Sequence, residues 1–310
     1  MSDLALKYRP AQWKQVVGQD AAVRSLRAVL KAGTKRSFLF TGPSGIGKTT
    51  LARILAGAVG CERQNVLEID AATNTGIDAM RAVAEGAQYK AFGESAVKVL
   101  IVDECGSLSK SAWQSLLKSI EEPPEHVWWV FCTTEPAKVP PTIKTRCAAF
   151  ALQSVKVDVI HDLLKRVKSG EQYDTPDDVL YAIARQSLGS PRQALSYLSQ
   201  CYNCMTVKEA SAVMQRADEA GDAIVLIRAL VKGGLSWARA MKLLEPIRDQ
   251  SAESIRLTML AYLATVAIGS KGNDQAGRTL EMIDAFSEAY NSSEGMAPLL
   301  LSIGRIIFGD

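Results

Sequence analysis

Along the first half of the chain, short runs of apolar residues recur between longer stretches in which apolar positions return every three or four residues. The runs are "SFLFTG" at 37–42, "VLEID" at 66–70, "VKVLIVDE" at 97–104 and "VWWVFCTT" at 127–134. Each is nearly continuous rather than alternating, the pattern of a strand buried on both faces. Strands of this kind separated by helices predict a parallel sheet covered on either side, an α/β domain. Past residue 152 no comparable run follows, and the pattern turns helical. Segments 157–168, 176–187 and 191–203 predict a small helical domain. The remainder, with long stretches such as "AIVLIRALVKG" and "SIRLTMLAYLATVAIG", predicts a second helical block. The expected division is therefore 1–152, 153–206 and 207–310. "GSKGND" at 269–274 reads as a loop, and there is neither a repeat at solenoid spacing nor a low-complexity tract.

Composition narrows the class. A chain of 310 residues has room for two or three domains and a substantial core, and 47% apolar with 22% charged residues excludes an extensively disordered polymer. No apolar run approaches the roughly eighteen residues of a membrane span, so no membrane association is expected. The start, "MSDLALKYRP", has polar residues where a signal peptide is apolar. Six scattered cysteines suit a reducing compartment, and a cytoplasmic location is expected. Cys201 and Cys204 in "CYNC" form a lone C-x-x-C without a second pair or a nearby histidine, which reads as packing rather than metal or redox chemistry. Net charge is only +3, but residues 1–60 hold ten Lys/Arg against two acids, whereas residues 270–310 hold three against six. Such asymmetry suits polyphosphate handling at the N-terminal end, with a solvated basic face as the alternative.

The chemistry concentrates where strands end. "GPSGIGKTT" comprises Gly42, Pro43, Ser44, Gly45, Ile46, Gly47, Lys48, Thr49 and Thr50, and satisfies G-x-x-x-x-G-K-[ST] between a strand and a helix. Its glycines let backbone N–H groups face phosphates at a helix N-terminus. Lys48 reaches the β/γ-phosphates of ATP and Thr49 can ligate Mg2+. "VLIVDE" ends in Asp103 and Glu104, and a buried strand has no packing reason to end in two carboxylates. Asp103 would sit beside the Mg2+, and Glu104 would polarise the attacking water. Thr133 and Thr134 close a third strand, where a hydroxyl could orient that water, although threonine also simply favours strands. In "LGSPRQALSYL", Ser190 and Gln193 make an S-x-x-Q capping box with Pro191 at the first helical position. Arg192 then lies in a helical first turn, against the dipole, and needs an anionic partner, either a carboxylate or the γ-phosphate.

Two further helix starts, at Thr75-Gly76-Ile77-Asp78 and near Ser109, could hold DNA phosphates or be ordinary caps. Trp113, Trp128 and Trp129 fall in apolar patterns and read as core rather than as base-stacking platforms.

"LKYRPAQWKQVVGQD", "GPSGIGKT", "EIDAATNTGIDAMR", "VLIVDE", "LLKSIEEPPEHVWWVFCTTEPAKVPPTIKTRC" and "GSPRQAL" occur in an order and spacing that resembles the AAA+ sliding-clamp-loader ATPases. That group includes the tau/gamma subunit of bacterial DNA polymerase III, the small subunits of replication factor C and the large subunit of phage clamp loaders. The likeness covers about residues 1–200. It implies an α/β P-loop NTPase of the AAA+ type with a RecA-like parallel sheet, then a small helical lid and an all-α collar domain. It also implies DNA-stimulated ATP hydrolysis coupled to loading a sliding clamp on primer–template DNA. The implied partners are further copies of the chain in a ring or spiral, a small clamp-loader subunit, the clamp and the DNA.

By the same resemblance, adenine is held by Ala5, Leu6, Lys7, Tyr8 and Val17, Thr134 is sensor 1, and Arg192 is sensor 2. Arg146 is an arginine finger acting on ATP in the adjacent subunit. Thr73, Asn74, Thr75, Ser109 and Lys110 become DNA contacts, and Gln114 a residue coupling neighbouring sites. The family's Ser-Arg-Cys is here Thr-Arg-Cys, and the bacterial four-cysteine zinc module expected between "GAVGC" and "VLEID" is missing. With the total length and the missing long C-terminal extension, this favours the compact phage type, acting in the host cytoplasm. A P-loop kinase and a non-hydrolysing structural subunit are the alternatives. The first would need no arginine from a neighbour, and the second would have no use for intact Lys48, Thr49, Asp103, Glu104 and Arg146.

Overall fold

A computed structural model of the chain describes residues 3–73, 76–89, 97–270, 272–290 and 295–309, without the side chains of residues 219, 220 and 275. The chain divides into two compact units, Met1–Ala210 and Ser211–Asp310.

The first unit begins with a short helix α1 (Leu4–Lys7) and α2 (Asp20–Ala32). It continues through β1 (Ser37–Thr41), α3 (Lys48–Ala58), β2 (Val66–Asp70), α4 (Ile77–Gly86) and β3 (Lys98–Asp103). Then come α5 (Lys110–Glu121), β4 (Val127–Thr133), α6 (Pro141–Lys144) and β5 (Ala148–Ala151). Helices α7 (Val157–Glu171), α8 (Asp177–Gln186) and α9 (Pro191–Cys201) follow. The five strands form one parallel sheet in the order β2-β3-β4-β1-β5.

Side chains alternate across each strand, and both faces are buried, which is why the runs read as continuous apolar sequence. On one face Leu39, Leu100, Val102, Trp129 and Phe131 pack against Met80 of α4 and Trp113, Leu116 and Ile120 of α5. On the other, Phe38, Phe40, Val99, Ile101, Val130 and Cys132 meet Leu26 of α2 and Leu51 and Leu55 of α3. Trp129 stacks on Phe131 at 5.7 Å, and Trp113 approaches the same ring at 5.3 Å. Trp113 and Trp129 are buried and Trp128 stacks on Phe38 at 5.9 Å, so all three tryptophans pack within the fold. The pattern expected no strand in "CAAFA", yet β5 pairs with β1 from Phe38↔Ala148 to Thr41↔Ala151. It is a four-residue edge strand with Phe150 as its one buried residue, so it carries almost no apolar signature.

Helix α9 ends at Cys201, earlier than the sequence pattern suggests, and Cys204 follows it. Burial pushes the Cys201 thiol up to about 12, with the neighbouring Cys204 adding to the effect. A thiol so raised is a poor nucleophile at neutral pH.

Helix α10 (Val207–Lys232) runs across the division between the units. The second unit continues with α11 (Trp237–Leu244), α12 (Ala252–Gly269), α13 (Asn273–Ala285) and α14 (Ala297–Phe308). Its core gathers Leu226, Ile227, Leu230, Leu244, Ile255, Met259, Leu263, Phe286, Leu299 and Ile303. Among the described residues α12 alone has the length and apolarity of a membrane span. Its first turn, however, carries a charged cluster, and Met259 and Leu263 point into the core.

In that cluster, buried Arg256 donates from Nε and Nη2 to both carboxylate oxygens of Glu253, at 2.6 and 2.5 Å, and from Nη1 to the Phe286 carbonyl at 2.8 Å. The Tyr290 N–H donates to Glu253 Oε2 at 2.9 Å. Hydrogen bonds from Arg256, with that N–H, hold the Glu253 carboxyl down from 4.5 to about 2. A depressed carboxylate contributes stability that is present above the unfolded pKa and is lost as pH falls through the folded one. Thermal melting followed on acidification is therefore expected to show the wild type losing stability between about pH 4.5 and about pH 2. Glu253→Gln protein, less stable at neutral pH, should have a shallower acid slope over that window. Equal slopes would remove Glu253 from the acid response.

Candidate nucleotide-binding site

Because all five strands are parallel, their carboxyl ends meet along one rim. A parallel sheet binds ligands there, where strand order reverses direction. The segment Gly42–Gly47 leaves β1 at this rim and enters α3 at Lys48. Two of its glycines are needed for reasons the geometry makes plain. Gly42 has φ +139°, and a side chain there would collide with the Leu152 carbonyl oxygen; Gly45 has φ +73°, and a side chain would collide with Ser190 Oγ. The tip of the loop thus packs directly on the start of α9, where the Arg192 N–H donates to the Gly45 carbonyl at 3.3 Å.

Lys48 is buried, and its Nζ donates to the carbonyls of Gly42 and Pro43 at 2.9 and 2.8 Å. Burial pulls its pKa below the usual lysine value, an effect that the nearby carboxylates of Glu104 and Asp103 oppose. Thr49 Oγ1 donates to Asp103 Oδ2 at 2.6 Å, which joins the loop to the end of β3. Glu104 follows in a left-handed conformation, φ 47°, rare for a residue with a side chain, and its N–H donates to Asp103 Oδ1 at 3.0 Å. Thr134 Oγ1, just past β4, donates to Glu104 Oε2 at 3.1 Å. Thr133 is fully buried, and its Oγ1 accepts the Glu135 N–H at 2.9 Å, so of the two threonines Thr134 is the one joined to the acids.

These groups open on a cavity of about 310 Å³. Ala5, Leu6, Tyr8 and Val17 line it, with Ser44, Gly45, Ile46, Gly47, Lys48, Thr49, Thr50, Asp103, Glu104 and Arg192. The structure therefore brings together the N-terminal segment, the glycine loop, the strand-end acids and the start of α9. Lys7 is turned elsewhere, with its Nζ 2.6 Å from Glu171 Oε1, the same oxygen that accepts from the Tyr8 hydroxyl at 2.5 Å. That hydrogen bond, with burial, raises the Tyr8 phenol to about 12, while Lys7 and Tyr8 together hold the Glu171 carboxyl below its ordinary value.

Several lining residues had no signal in the sequence. Leu163 of α7 and Leu195 of α9 supply apolar wall. Arg53 of α3 forms a two-pronged ion pair with Glu68 of β2 at the rim, Nε to Oε1 at 2.5 Å and Nη2 to Oε2 at 2.6 Å.

A buried ammonium, a glycine loop at a helix N-terminus and a hydroxyl paired with a carboxylate are the donor set that a magnesium–nucleoside triphosphate requires. Lys48 and the loop suit the phosphates, Thr49 and Asp103 suit the cation, and the apolar wall suits a base.

Arg146 lies elsewhere. It precedes β5, and its backbone carbonyl accepts from Lys35 Nζ at 3.5 Å, ahead of β1. In the parallel register Phe38↔Ala148, Arg146 is level with Arg36, so the length of β1 separates it from the glycine loop. At about 3.3 Å per residue, that separation is on the order of 20 Å.

Of the remaining expected residues, Thr73 is exposed, with its Oγ1 donating to the Asp70 carbonyl at 3.0 Å. Ser109 caps α5 by accepting the Ala112 N–H at 3.1 Å, and Lys110 and Gln114 are exposed on that helix. Helix α4 begins at Ile77 behind Gly76, and Asn74 and Thr75 lie outside the described residues.

Comparison with known proteins agrees with this geometry. The family profile described as "DNA polymerase III, delta subunit" matches residues 66–156, and that for "Magnesium chelatase, subunit ChlI" matches residues 12–103. DNA polymerase III subunit tau of Escherichia coli is 31% identical over 90% of this chain, and that of Bacillus subtilis is 31% identical over 94%. The gamma/tau subunit of Mycobacterium bovis is 36% identical over 63% of this chain and 38% of its own length. The chain spans about half the length of the two tau subunits, 48% and 53%. Among solved structures, the Thermotoga maritima RuvB "Holliday junction branch migration motor" superposes with a TM-score of 0.59 at 20% identity, over 77% of this chain and 85% of that one. A point mutant of the same RuvB gives 0.60 at 19% identity, over 77% and 86%. Likeness at that identity speaks for the fold alone. The chain is a homologue of the DNA polymerase III tau and gamma subunits, and its parallel sheet with flanking helices is the AAA+ ATPase fold.

Proposed function

We propose that the chain is an ATP-hydrolysing subunit of a sliding-clamp loader and works only beside further copies of itself. The observation that carries this reading is the division of the catalytic set between opposite ends of one sheet. Lys48, Thr49, Asp103, Glu104 and Thr134 gather at the carboxyl ends of the strands, and Arg146 stands at the other end. An arginine so placed cannot serve its own nucleotide, whereas a ring or spiral of copies would present it to the next one.

In the proposed mechanism the Gly42–Thr50 backbone and Lys48 hold the phosphates, while Ala5, Leu6, Tyr8 and Val17 hold the base. Bound Mg2+ supplies charge neutralisation at the β/γ-phosphates. Thr49 and Asp103, already within hydrogen-bond distance, are the residues that would hold it. Glu104, oriented by the hydrogen bond from Thr134, takes the proton of the attacking water. Arg192 senses the γ-phosphate from the lid, 153–206, whose packing on Gly45 would couple lid position to occupancy. Arg146 of the neighbouring copy stabilises the charge that develops in the transition state.

The relatives are named as subunits of DNA polymerase III. Primer–template DNA, a sliding clamp and a small clamp-loader subunit are the partners this reading requires. Residues 207–310 would serve as the collar that joins copies. Thr73, Asn74, Thr75, Ser109 and Lys110 would meet the DNA backbone. With Ser109 Oγ already spent on its own cap, backbone N–H groups at the start of α5 and the Lys110 ammonium would make the contacts there.

ATP turnover is expected to rise severalfold when primer–template DNA, the cognate clamp and the small subunit are added together. The stimulated rate should fall steeply with salt, because contacts to phosphates release counterions. A steady-state ATPase assay over a salt series checks both, and no stimulation by the full mixture would sink the reading.

A further inference from the structure

Helix α5 ends at Glu121 and is followed by Glu122, two carboxylates where the helix dipole disfavours negative charge. Glu121 is matched across twenty-five positions of sequence by Arg146, whose Nε donates to Glu121 Oε2 at 2.9 Å. The same guanidinium donates from Nη1 to the Thr142 carbonyl at 2.8 Å. A guanidinium has five N–H groups in a fixed fork, so bonds from Nε and Nη1 set its plane and leave Nη2 for a further acceptor. Both supports are themselves anchored. Ser37 Oγ donates to the Ile120 carbonyl at 2.8 Å, which pins the end of α5 to the start of β1. Ile120, Ile143 and Cys147 are buried, which fixes the backbone on either side of the pair.

We propose that Glu121 is a positioning residue for Arg146: it aligns the guanidinium before a neighbouring copy's γ-phosphate arrives. The inference rests on the trans role assigned to Arg146 above and adds to it the residue that sets its aim. An unsupported arginine has many rotamers, and a charge held ready at its target costs no reorganisation at the moment of reaction. An exposed ion pair of this kind contributes little to folding, so a defect in its absence would appear in turnover and not in stability.

The test uses the full chain assembled with its partners, DNA and clamp. Glu121→Ala protein is expected to bind ATP normally and to lose turnover by about tenfold to a hundredfold, the scale of a misplaced catalytic group. Glu121→Gln, which keeps an acceptor of the same shape, should recover part of the loss. The decisive variant is the Glu121→Ala/Arg146→Ala double, expected to be no slower than Arg146→Ala alone, because residues acting as one unit are not additive. Melting temperatures of all variants should match the wild type. Three results would overturn the proposal: normal turnover in Glu121→Ala, a double variant slower by the product of the two single losses, or a slow Glu121→Ala with a lowered melting temperature. If Arg146→Ala itself turns over normally, the trans finger fails and this inference with it. A slow Arg146→Ala beside a normal Glu121→Ala removes only the inference.

Discussion

Arg146→Ala protein is expected to bind ATP as tightly as the wild type and to lose turnover by about three to five orders of magnitude, the range seen when such an arginine is absent from other NTPases. Binding survives because the groups that line the cavity, from Tyr8 to Arg192, are all retained, and Arg146 is not among them. Turnover fails because the missing cation acts at a second copy's site. Nucleotide titration and steady-state hydrolysis of the assembled complex separate the two effects. The same geometry predicts rescue by mixing. A complex assembled from Arg146→Ala and Lys48→Ala chains contains contacts at which an intact glycine loop meets an intact arginine, and those should hydrolyse ATP. Neither chain alone should. If Arg146→Ala protein hydrolyses ATP normally, its ion pair with Glu121 is its whole role and the residue is structural.

Glu104→Gln is the second large effect. The carboxamide keeps the size of the side chain but cannot accept the proton of the attacking water, and removal of a positioned general base costs about 10² to 10⁴ in rate. The site around it is built for this residue. Glu104 occupies a left-handed conformation that few side chains tolerate, its N–H is held by Asp103 Oδ1, and its Oε2 accepts from Thr134. Such local strain persists where surrounding bonds over-determine it. The variant should therefore trap ATP: bound nucleotide recovered from the complex would be triphosphate, where the wild type yields diphosphate. A single-turnover measurement showing an unchanged hydrolysis step would move the base to another residue.

The halves of the proposed machine differ in how far the chain announces them. Lys48, Thr49, Asp103 and Glu104 were legible because their chemistry sits within a few residues of a strand end, in an order that phosphate binding requires. The covering of the sheet was legible too, since burial on both faces leaves continuous runs such as "VLIV" and "WWVF". Strand β5 was not, because an edge strand of small residues needs little apolar sequence to pair. Nor were Arg53 with Glu68, Tyr8 with Glu171, or Arg146 with Glu121. Side chains that meet across long loops leave no period along the chain.

Along the chain itself, then, the local grammar of this protein is written: four of the five strands, where the phosphate loop lies and which acids follow it. These depend on hydrophobic periodicity and on residues only a few positions apart. The tertiary structure alone decided distance. The family resemblance implied that Arg146 serves a neighbouring copy, but only strand order and parallel register place that arginine a full strand length from the phosphate loop. In a parallel sheet every strand runs the same way, so a segment that leaves one strand and a segment that enters another lie at opposite ends, and no pattern along the chain encodes that separation.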